Sequence, residues 1–225
     1  MLCCSEQKDR FEVLEIVEKQ KDIISDGTKL PVVEEFFSLQ GEGYHTGKAA
    51  YFIRLGGCDI GCSWCDSRFS WNPDLHPAVE TKAIIGRVIK SGADSVVVTG
   101  GEPLMWRLDL LCDRLKNEKI STFIETSGAY PLSGTWDWIC LSPKQNMPPL
   151  TELCKAADEL KIIIQDRSDF EWAEKYHGMV SNKCKLYLQP EWSIFETIIP
   201  EIVEYIKQNP TWRISLQAHK YMHIP

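Results

Sequence analysis

The amino-acid sequence predicts an α/β protein whose parallel strands form a partial (β/α)6-type barrel with reduced helix content. Strand-like segments alternate with helix-like segments along most of the chain. Polar residues follow strand after strand, as in parallel sheets that carry their functional groups at the carboxyl ends of the strands. A complete eight-stranded barrel takes about 250 residues, and only about 190 remain here after an N-terminal segment, so a six-stranded partial barrel fits better.

Apolar residues recur at helical spacing between residues 5 and 26, where Asp26 and Gly27 end the pattern. We therefore predict two regions, an N-terminal helical extension of residues 1–31 and a main domain of residues 32–225. Within the main domain, strands are predicted at 32–37, 50–55, 96–98, 122–124, 138–141, 161–164, 185–188 and 213–216, and helices at 81–90, 108–115 and 195–208.

The composition argues against several classes of partner. The formal net charge of −7 disfavours nucleic acid, whose phosphates select basic surfaces. No apolar run approaches the ~20 residues that a membrane span requires. The nine cysteines follow no secretory signal, so a reducing, cytoplasmic compartment is expected. Four cysteines in apolar or helical contexts are predicted to be small buried hydrophobic residues: Cys112, Cys140, Cys154 and Cys184.

Three other cysteines form the most informative pattern in the chain. Cys58, Cys62 and Cys65 have C-x3-C-x2-C spacing. Three thiolates can hold three irons of a four-iron cluster and leave the fourth iron free to bind a small molecule. A zinc site completed by His45 or His76 is the alternative, but structural zinc usually takes its ligands as two close pairs, and no second pair is present. The spacing therefore favours the iron–sulfur cluster.

A second motif follows the predicted strand at 96–98. It consists of Gly100, Gly101, Glu102 and Pro103, in the position where radical S-adenosylmethionine (SAM) enzymes have their methionine-binding loop. The chain resembles that superfamily in both motifs and in their order. The resemblance implies a 4Fe-4S cluster whose free iron binds SAM, and a 5'-deoxyadenosyl radical made from that SAM.

Further motifs resemble one family of that superfamily, the 7-carboxy-7-deazaguanine synthases. They are QGEG at 40–43, RLGGC at 54–58, WCD at 64–66, TGGEP at 99–103, ETSG at 125–128, SPK at 142–144, QP at 189–190 and QAHK at 217–220. The resemblance implies conversion of 6-carboxy-5,6,7,8-tetrahydropterin to 7-carboxy-7-deazaguanine with loss of ammonia, on the route to queuosine. It also implies a flavodoxin-type electron donor, a homodimer, and a magnesium ion held by Ser67, where the family commonly has threonine.

The same resemblance implies roles for individual residues. Those expected to bind SAM are Trp64, Cys65, Asp66, Gly101, Glu102, Ser142, Pro143, Lys144, Gln189, Pro190, Glu191 and Trp192. Those expected to bind the substrate are Leu39, Gln40, Gly41, Arg54, Thr99 and Pro225, the last through its main-chain carboxylate. Glu125 and His219 are expected to move protons, because the loss of ammonia requires proton transfer.

Ordinary structural roles are the alternatives to these assignments. The Arg54 guanidinium can pair with a substrate carboxylate or form a plain salt bridge with Asp66 or Glu102. Lys144 can bind the cofactor or be a solvated side chain, and Trp64 can cover the cluster or belong to the core. Two other functions also stay open. They are an activase that installs a glycyl radical in a partner protein, and a non-enzymatic iron–sulfur or zinc module.

Overall fold

The computed structural model describes residues 26–225. Its strands are β1 (Lys29–Leu39), β2 (Ala49–Leu55), β3 (Ala78–Glu80), β4 (Ser95–Gly100), β5 (Ser121–Thr126), β6 (Trp138–Leu141), β7 (Glu159–Ile164), β8 (Lys185–Pro190) and β9 (Trp212–Ile214). Its α-helices are α1 (Thr81–Ser91), α2 (Asp109–Asn117), α3 (Thr151–Ala156), α4 (Ser168–His177), α5 (Phe195–Gln208) and α6 (Ala218–Met222). Within this range, none of the helices is both long and apolar enough to cross a membrane.

All nine strands belong to one sheet, in the order β3-β1-β2-β4-β5-β6-β7-β8-β9. From β2 through β4 to β9, each strand is parallel to the next one in this order. β1 is antiparallel to β2, and β3 is antiparallel to β1. The predicted α/β class with low helix content is confirmed. The sheet exceeds six strands because β1 and β3 extend one edge and β9 extends the other.

Most predicted elements occur with small shifts at their ends. β6 and α5 have the predicted bounds. β1 begins three residues before the predicted strand, inside the region assigned to the extension, because Lys29 pairs with Glu80 of β3. The sequence did not predict β3, α3, α4 or α6. β3, α3 and α6 are short, and α4 buries Asp169 together with Ala173 and Tyr176, so it lacks a regular apolar stripe. The predicted helix at 5–26 lies outside the described residues, apart from its last position.

The two faces of the sheet have different neighbours. One face packs against the helices and forms the main core, which includes Ile53, Val98 and Ile124. The opposite face has a smaller apolar cluster of Ala50, Phe52, Val97 and Phe123, with polar residues further along the same strands. The four cysteines predicted to be buried hydrophobic residues are indeed buried: Cys112, Cys140, Cys154 and Cys184.

The loop between β1 and β2 covers part of this second face. Its Tyr44 ring stacks on Trp138 at 4.7 Å between ring centroids, and its His45 ring stacks on Phe123 at 4.5 Å. The backbone N–H of Tyr44 also donates to Glu159 at the start of β7. The loop thus covers the face towards the amino ends of the strands and leaves a cavity towards their carboxyl ends.

Candidate active site

A cavity with many polar side chains in its wall lies at the carboxyl ends of the parallel strands, where functional groups were expected. The predicted site residues that line it are Leu39, Gln40, Gly41, Arg54, Cys58, Cys62, Trp64, Cys65, Asp66, Ser67, Thr99, Gly101, Glu102, Glu125, Ser142, Lys144, Gln189, Pro190, Glu191, Trp192, His219 and Pro225. Pro143 instead lines a smaller neighbouring cavity with Ser63 and Gln145. The structure therefore brings together residues that lie far apart in the sequence.

The loop that carries the three predicted cluster ligands is held at both ends. The N–H of Gly57 donates to the carbonyl oxygen of Ser70 at 2.7 Å, and the N–H of Cys58 donates to that of Trp71 at 3.0 Å. In the middle of the loop, the Asn146 side chain donates to the backbone carbonyl oxygens of Ile60 and Gly61, at 3.1 Å each. These contacts fix the loop through its backbone and leave the cysteine side chains available.

The three thiols are half-buried, free and at the edge of the cavity. Burial raises the pKa of the Cys58 and Cys62 thiols, so a bound metal rather than solvent has to stabilise the thiolates. The Trp71 indole N–H donates to the sulfur of Cys65 at 3.4 Å, the type of second contact that tunes a metal thiolate. Three thiols in one loop, with an open cavity beside them, fit a cluster that keeps one iron free.

A single metal ion needs a different arrangement of ligands from an iron–sulfur cluster. Zinc needs its ligands around one point, whereas each thiolate of a four-iron cluster binds a different iron. Among residues 26–225, no three His, Cys, Asp or Glu side chains come together around one point. The two histidines considered as zinc ligands have other neighbours, because His45 stacks on Phe123 and His76 Nε2 lies 2.9 Å from the carbonyl oxygen of Phe69.

The glycine motif after β4 packs directly against the cysteine loop. A Cβ atom on Gly101 would lie 2.2 Å from the carbonyl oxygen of Gly57, and Gly100 has a φ of 147°, where a side chain is strained. The N–H of Gly101 donates to Leu55 at 2.9 Å, and the N–H of Glu102 donates to Gly57 at 2.7 Å. The two glycines are therefore required by the close approach of the two loops.

The Glu102 carboxylate is buried and already has four hydrogen bonds. Oε1 accepts from the N–H of Leu104 at 3.0 Å and from Thr126 Oγ1 at 2.6 Å. Oε2 accepts from the N–H of Ser127 at 2.8 Å and from its hydroxyl at 2.5 Å. A carboxylate has about four acceptor sites. Glu102 thus ties the glycine motif to the end of β5, and the expected contact with the amino group of SAM stays a prediction.

Glu125, near the end of β5, lies at the centre of the polar part of the cavity. Gln40 Nε2 donates to its Oε1 at 2.9 Å, and Thr99 Oγ1 donates to its Oε2 at 3.3 Å. Lys161 Nζ lies 3.9 Å from the same Oε2. Gln40 and Thr99, which were expected to contact the substrate, therefore also hold the expected proton carrier.

Lys161 and Glu42 form a buried ion pair beside Glu125. Lys161 has only 5% of its surface exposed, and its Nζ donates to Glu42 Oε2. Burial alone would raise the pKa of Glu42, but the Lys161 ammonium outweighs it and holds that pKa below its usual range. Burial would lower the pKa of Lys161, but Glu125 and Glu42 raise it well above normal. Both groups are therefore charged at neutral pH.

Arg54 is held at one edge of the cavity by β1. Its Nε donates to Glu34 Oε1 at 2.7 Å, and its guanidinium lies over the Phe69 ring, 5.9 Å from the centroid. The salt-bridge partner is therefore Glu34, not the expected Asp66 or Glu102, because β1 and β2 place Arg54 and Glu34 opposite each other. The two terminal amino groups of Arg54 make no hydrogen bond to any described residue.

Lys144 and Ser142 lie together after β6. Lys144 Nζ donates to the Ser142 carbonyl oxygen at 2.6 Å and to its hydroxyl at 2.7 Å. It also lies over the Trp64 ring, 5.5 Å from the centroid. Burial lowers the pKa of Lys144. This arrangement contradicts the alternative of a solvated lysine. Nearby, Gln189 accepts a hydrogen bond from Ser215 at 2.6 Å.

The segment after β9 completes one wall of the cavity. The His219 ring occupies the space where Gly41 lacks a side chain, since its Nδ1 lies 2.2 Å from the position of a Cβ on that glycine. Burial lowers the pKa of His219 although Glu42 acts to raise it. At the rim, Ser38 Oγ donates to the carbonyl oxygen of Pro225 at 3.2 Å.

The same segment also contacts the loop after the cysteines. Burial would raise the pKa of Asp66, but Lys220, whose Nζ donates to Oδ2 at 2.9 Å, helps to lower it to about 2. Ser67, the expected magnesium ligand, donates its hydroxyl to Asp66 Oδ1 at 3.1 Å. Gln217 donates to Asp66 at 3.3 Å and to Glu42 at 2.9 Å. This network links the loop after the cysteines to the loop at 40–43.

Several cavity residues were not assigned from the sequence: Glu42, Ser127, Lys161 and Gln217. Glu42 and Gln217 belong to motifs that were recognised, and Ser127 follows Glu125 in another. Lys161 could have been identified from the pattern of its own strand, β7. Glu159 and Lys161 occupy alternate positions of an otherwise apolar strand, and charges with this period indicate a polar interior face.

The fold and the cysteine site define a radical SAM enzyme. A model of the radical SAM superfamily matches residues 52–141, which contain both the cysteine loop and the glycine motif. The 7-carboxy-7-deazaguanine synthase of Flavobacterium psychrophilum is 53% identical over 202 residues, which are 90% of this chain and 96% of the relative. The chain belongs to the 7-carboxy-7-deazaguanine synthase family.

Other relatives and a solved structure agree. The synthase of Synechocystis sp. is 45% identical over 194 residues, 86% of this chain and 93% of the relative. That of Escherichia coli is 33% identical over 221 residues, 86% of this chain and 98% of the relative. The crystal structure of QueE from Escherichia coli has a TM-score of 0.78 at 30% identity and covers 87% of this chain and 97% of that one.

Proposed function

We propose that the protein converts 6-carboxy-5,6,7,8-tetrahydropterin to 7-carboxy-7-deazaguanine with release of ammonia. The family shared with the relatives named above supports this reaction. The observation that carries it is a cavity that brings together three free thiols, the glycine motif and a buried charged cluster around Glu125. When bound, a 4Fe-4S cluster and SAM supply the 5'-deoxyadenosyl radical.

The protein's own residues then divide the work of binding the cofactors. Cys58, Cys62 and Cys65 would hold three irons of the cluster, and its fourth iron would bind SAM. Lys144 and Trp64 lie on the cofactor side and exclude water from it. The backbone N–H groups of Gly101 and Glu102 hold the glycine motif against the cysteine loop, and the four hydrogen bonds of the Glu102 carboxylate hold it against the end of β5, so that the backbone of Gly101 can contact SAM.

The substrate is proposed to bind between Arg54 and the Glu125 cluster. The terminal amino groups of Arg54 pair with the carboxylate of the substrate, because Glu34 occupies only the Nε position. Gln40 and Thr99 contact the pterin edge and orient Glu125 at the same time. Glu125 accepts and returns protons during the loss of ammonia, with His219 as a second proton carrier.

Four further assignments are proposals of the same kind. Ser67 and the neighbouring carboxylate of Asp66 offer oxygen ligands to a magnesium ion. A flavodoxin-type protein donates the electron, which is consistent with half-buried cysteines at the edge of the cavity. A homodimer is consistent with exposed apolar residues such as Phe37 and Tyr221. A cytoplasmic location is consistent with seven described cysteines that are all unpaired.

The domain organisation is also a proposal. We propose that residues 1–31 form an extension that the chemistry does not need and that residues 32–225 form the catalytic domain, with the provision that β1 starts at Lys29. Deletion of residues 1–25 should then preserve turnover. Deletion of residues 1–31 should lower stability as well, because it removes the pairing of Lys29 with Glu80 and the hydrogen bond from Thr81 to Gly27.

Anaerobic reconstitution tests the proposed reaction. The reduced protein should form 5'-deoxyadenosine and 7-carboxy-7-deazaguanine only when both SAM and the carboxypterin are present, as measured by liquid chromatography and mass spectrometry. The matched variant Arg54→Lys keeps the positive charge but loses the two terminal amino groups of the guanidinium, and it should raise the KM for the carboxypterin. If 5'-deoxyadenosine formed without the pterin and a glycyl radical appeared in a partner protein, the activase alternative would be correct.

A further inference from the structure

A small space lies next to the active-site cavity, between the β1–β2 loop and the sheet. Its volume is about 10 Å³, roughly the room that one water molecule needs. Register places Glu125, Cys140 and Glu159 side by side on three neighbouring strands along one wall. Gln40, Glu42 and His45 of the loop form the opposite wall. The space is also lined by apolar side chains such as Val97 and Phe123, but several polar groups face it, among them the Glu125 carboxylate of the active site.

His45 contributes an unpaired polar atom to this space. Its Nε2 is fully buried without a hydrogen-bond partner, and it is the one such side-chain nitrogen or oxygen between residues 26 and 225. The ring cannot easily turn away, because it stacks on Phe123 with an angle of 5° between the planes and meets Trp138 edge-on. A buried polar atom without a partner is destabilising, so a bound water is expected where there is room for one.

His45 as a whole is only partly buried, so the part of the residue that solvent reaches is not Nε2. The neighbouring loop residues Tyr44 and Thr46 are exposed. Burial, together with the nearby charge of Lys48, lowers the pKa of His45 and keeps the ring neutral. A neutral imidazole has one donor and one acceptor nitrogen, which is the arrangement that a proton relay needs.

We propose that this small space binds one water molecule on His45 Nε2, and that this water and the His45 ring form a proton path between solvent and Glu125. A proton on Glu125 passes to the water, the water gives one of its own protons to Nε2, and Nδ1 releases one to solvent. Glu125 has then lost one proton, solvent has gained one, and the ring is in its other tautomer. The first tautomer is restored when Glu125 takes up its next proton along the same path in the opposite direction. The path rests on the proposed function, in which Glu125 handles protons as ammonia leaves.

Crystals of the holoenzyme test the water site directly. At high resolution, one water should lie within hydrogen-bond distance of His45 Nε2 and of a carboxylate in the same space. An empty space, or a protein group bonded to Nε2, would overturn the site. In crystals of His45→Phe, which keeps the stack on Phe123 but has no nitrogen, the water should be absent.

Turnover tests the proton path. His45→Phe should form product about tenfold more slowly than the wild type, because proton transfer steps typically contribute 10²–10⁴ in rate and the open cavity leaves a slower route. Cluster content and SAM affinity should be unchanged. The matched control is Tyr44→Phe, which keeps a stacked ring in the same loop and should turn over normally. Equal rates in His45→Phe and the wild type would overturn the path.

A rescue experiment separates a relay from a packing role. His45→Gly should recover turnover with added imidazole but not with 1-methylimidazole, which fills the same space with one nitrogen blocked. Recovery with both compounds would mean that the ring only fills space, and would overturn the path. If the wild type itself made no product from the carboxypterin, the proposed function and the path would both fail, whereas the water site is judged by the crystals alone.

Discussion

Glu102→Gln tests whether the carboxylate of the glycine motif serves the fold before it serves the cofactor. The side chain is 1% exposed and accepts four hydrogen bonds, two of them from the backbone N–H groups of Leu104 and Ser127. Glutamine has nearly the same shape, but it replaces one oxygen by an amide that only donates. The hydroxyls of Thr126 and Ser127 can rotate to accept from the amide. A backbone N–H cannot.

The magnitude follows from these contacts. Whichever way the amide turns, its NH2 group faces one of the two backbone N–H groups. That N–H loses a hydrogen bond to a charged group, which contributes about 1.5–3 kcal/mol to stability. It also stays buried without a partner, which costs about 1–3 kcal/mol. The expected loss is therefore about 3 kcal/mol in the free energy of unfolding. For a domain of this size that is roughly 6–12 °C in Tm.

Thermal unfolding of the protein without SAM, followed by circular dichroism under anaerobic conditions, measures this loss. Glu118→Gln is the matched control, because Glu118 is exposed and its side chain bonds no described residue. It should unfold within about 1 °C of the wild type, since surface substitutions usually change stability by less than 0.5 kcal/mol. If Glu102→Gln unfolded at the wild-type temperature and lost only SAM affinity, the reasoning would be refuted.

Three further substitutions test other parts of the site. Cys62→Ala should abolish iron binding after reconstitution, whereas Cys154→Ala, at a buried thiol in α3, should not; iron analysis distinguishes them, and equal loss would contradict the cluster assignment. Gly101→Ala puts a Cβ 2.2 Å from the Gly57 carbonyl oxygen and should displace the cysteine loop, so that less cluster is retained; full retention would show that the loop can yield. Lys161→Met leaves the Glu42 carboxylate buried without its ion-pair partner and should lower the free energy of unfolding, measured with denaturant at pH 8, by about 3–5 kcal/mol. In this variant burial raises the pKa of Glu42, so part of the loss should disappear towards pH 5, where the carboxylate can be protonated. A loss of stability that did not change with pH would argue against the ion pair.

The strands and the site loops were largely predictable because their signals are local. Short apolar runs mark the parallel strands, and polar motifs follow them. The cysteine spacing and the glycine motif are each contained within a few residues, and the structure brings both to the same cavity. Helix α4 was missed because it buries Asp169, which accepts a hydrogen bond from the backbone N–H of Gln165, rather than presenting an apolar stripe.

The partners of the site residues could not be predicted, because they depend on which strands are neighbours. The pairing of Arg54 with Glu34 requires the antiparallel register of β1 and β2, which the sequence does not reveal. The four bonds of Glu102 come from its own loop and from the end of β5. Lys161 was visible as a charge in an apolar strand, but its partner Glu42 lies 119 positions away.

The open edge of the sheet has a consequence for the exchange of substrate and product. In a closed barrel, backbone hydrogen bonds fix the circumference. Here β3 and β9 are edge strands that do not pair with each other, and a few contacts join the β1–β2 loop to the segment after β9: Gly43 to Ser215, Ala218 to Gly41, and Gln217 to Glu42. These contacts can separate without breaking any strand pairing, at a free energy far below that of global unfolding. We therefore expect the amides of Gly43 and Ala218 to exchange with deuterium faster than those of β4 and β5. The wall next to His219 can then open for substrate and product while the strands of the sheet stay paired.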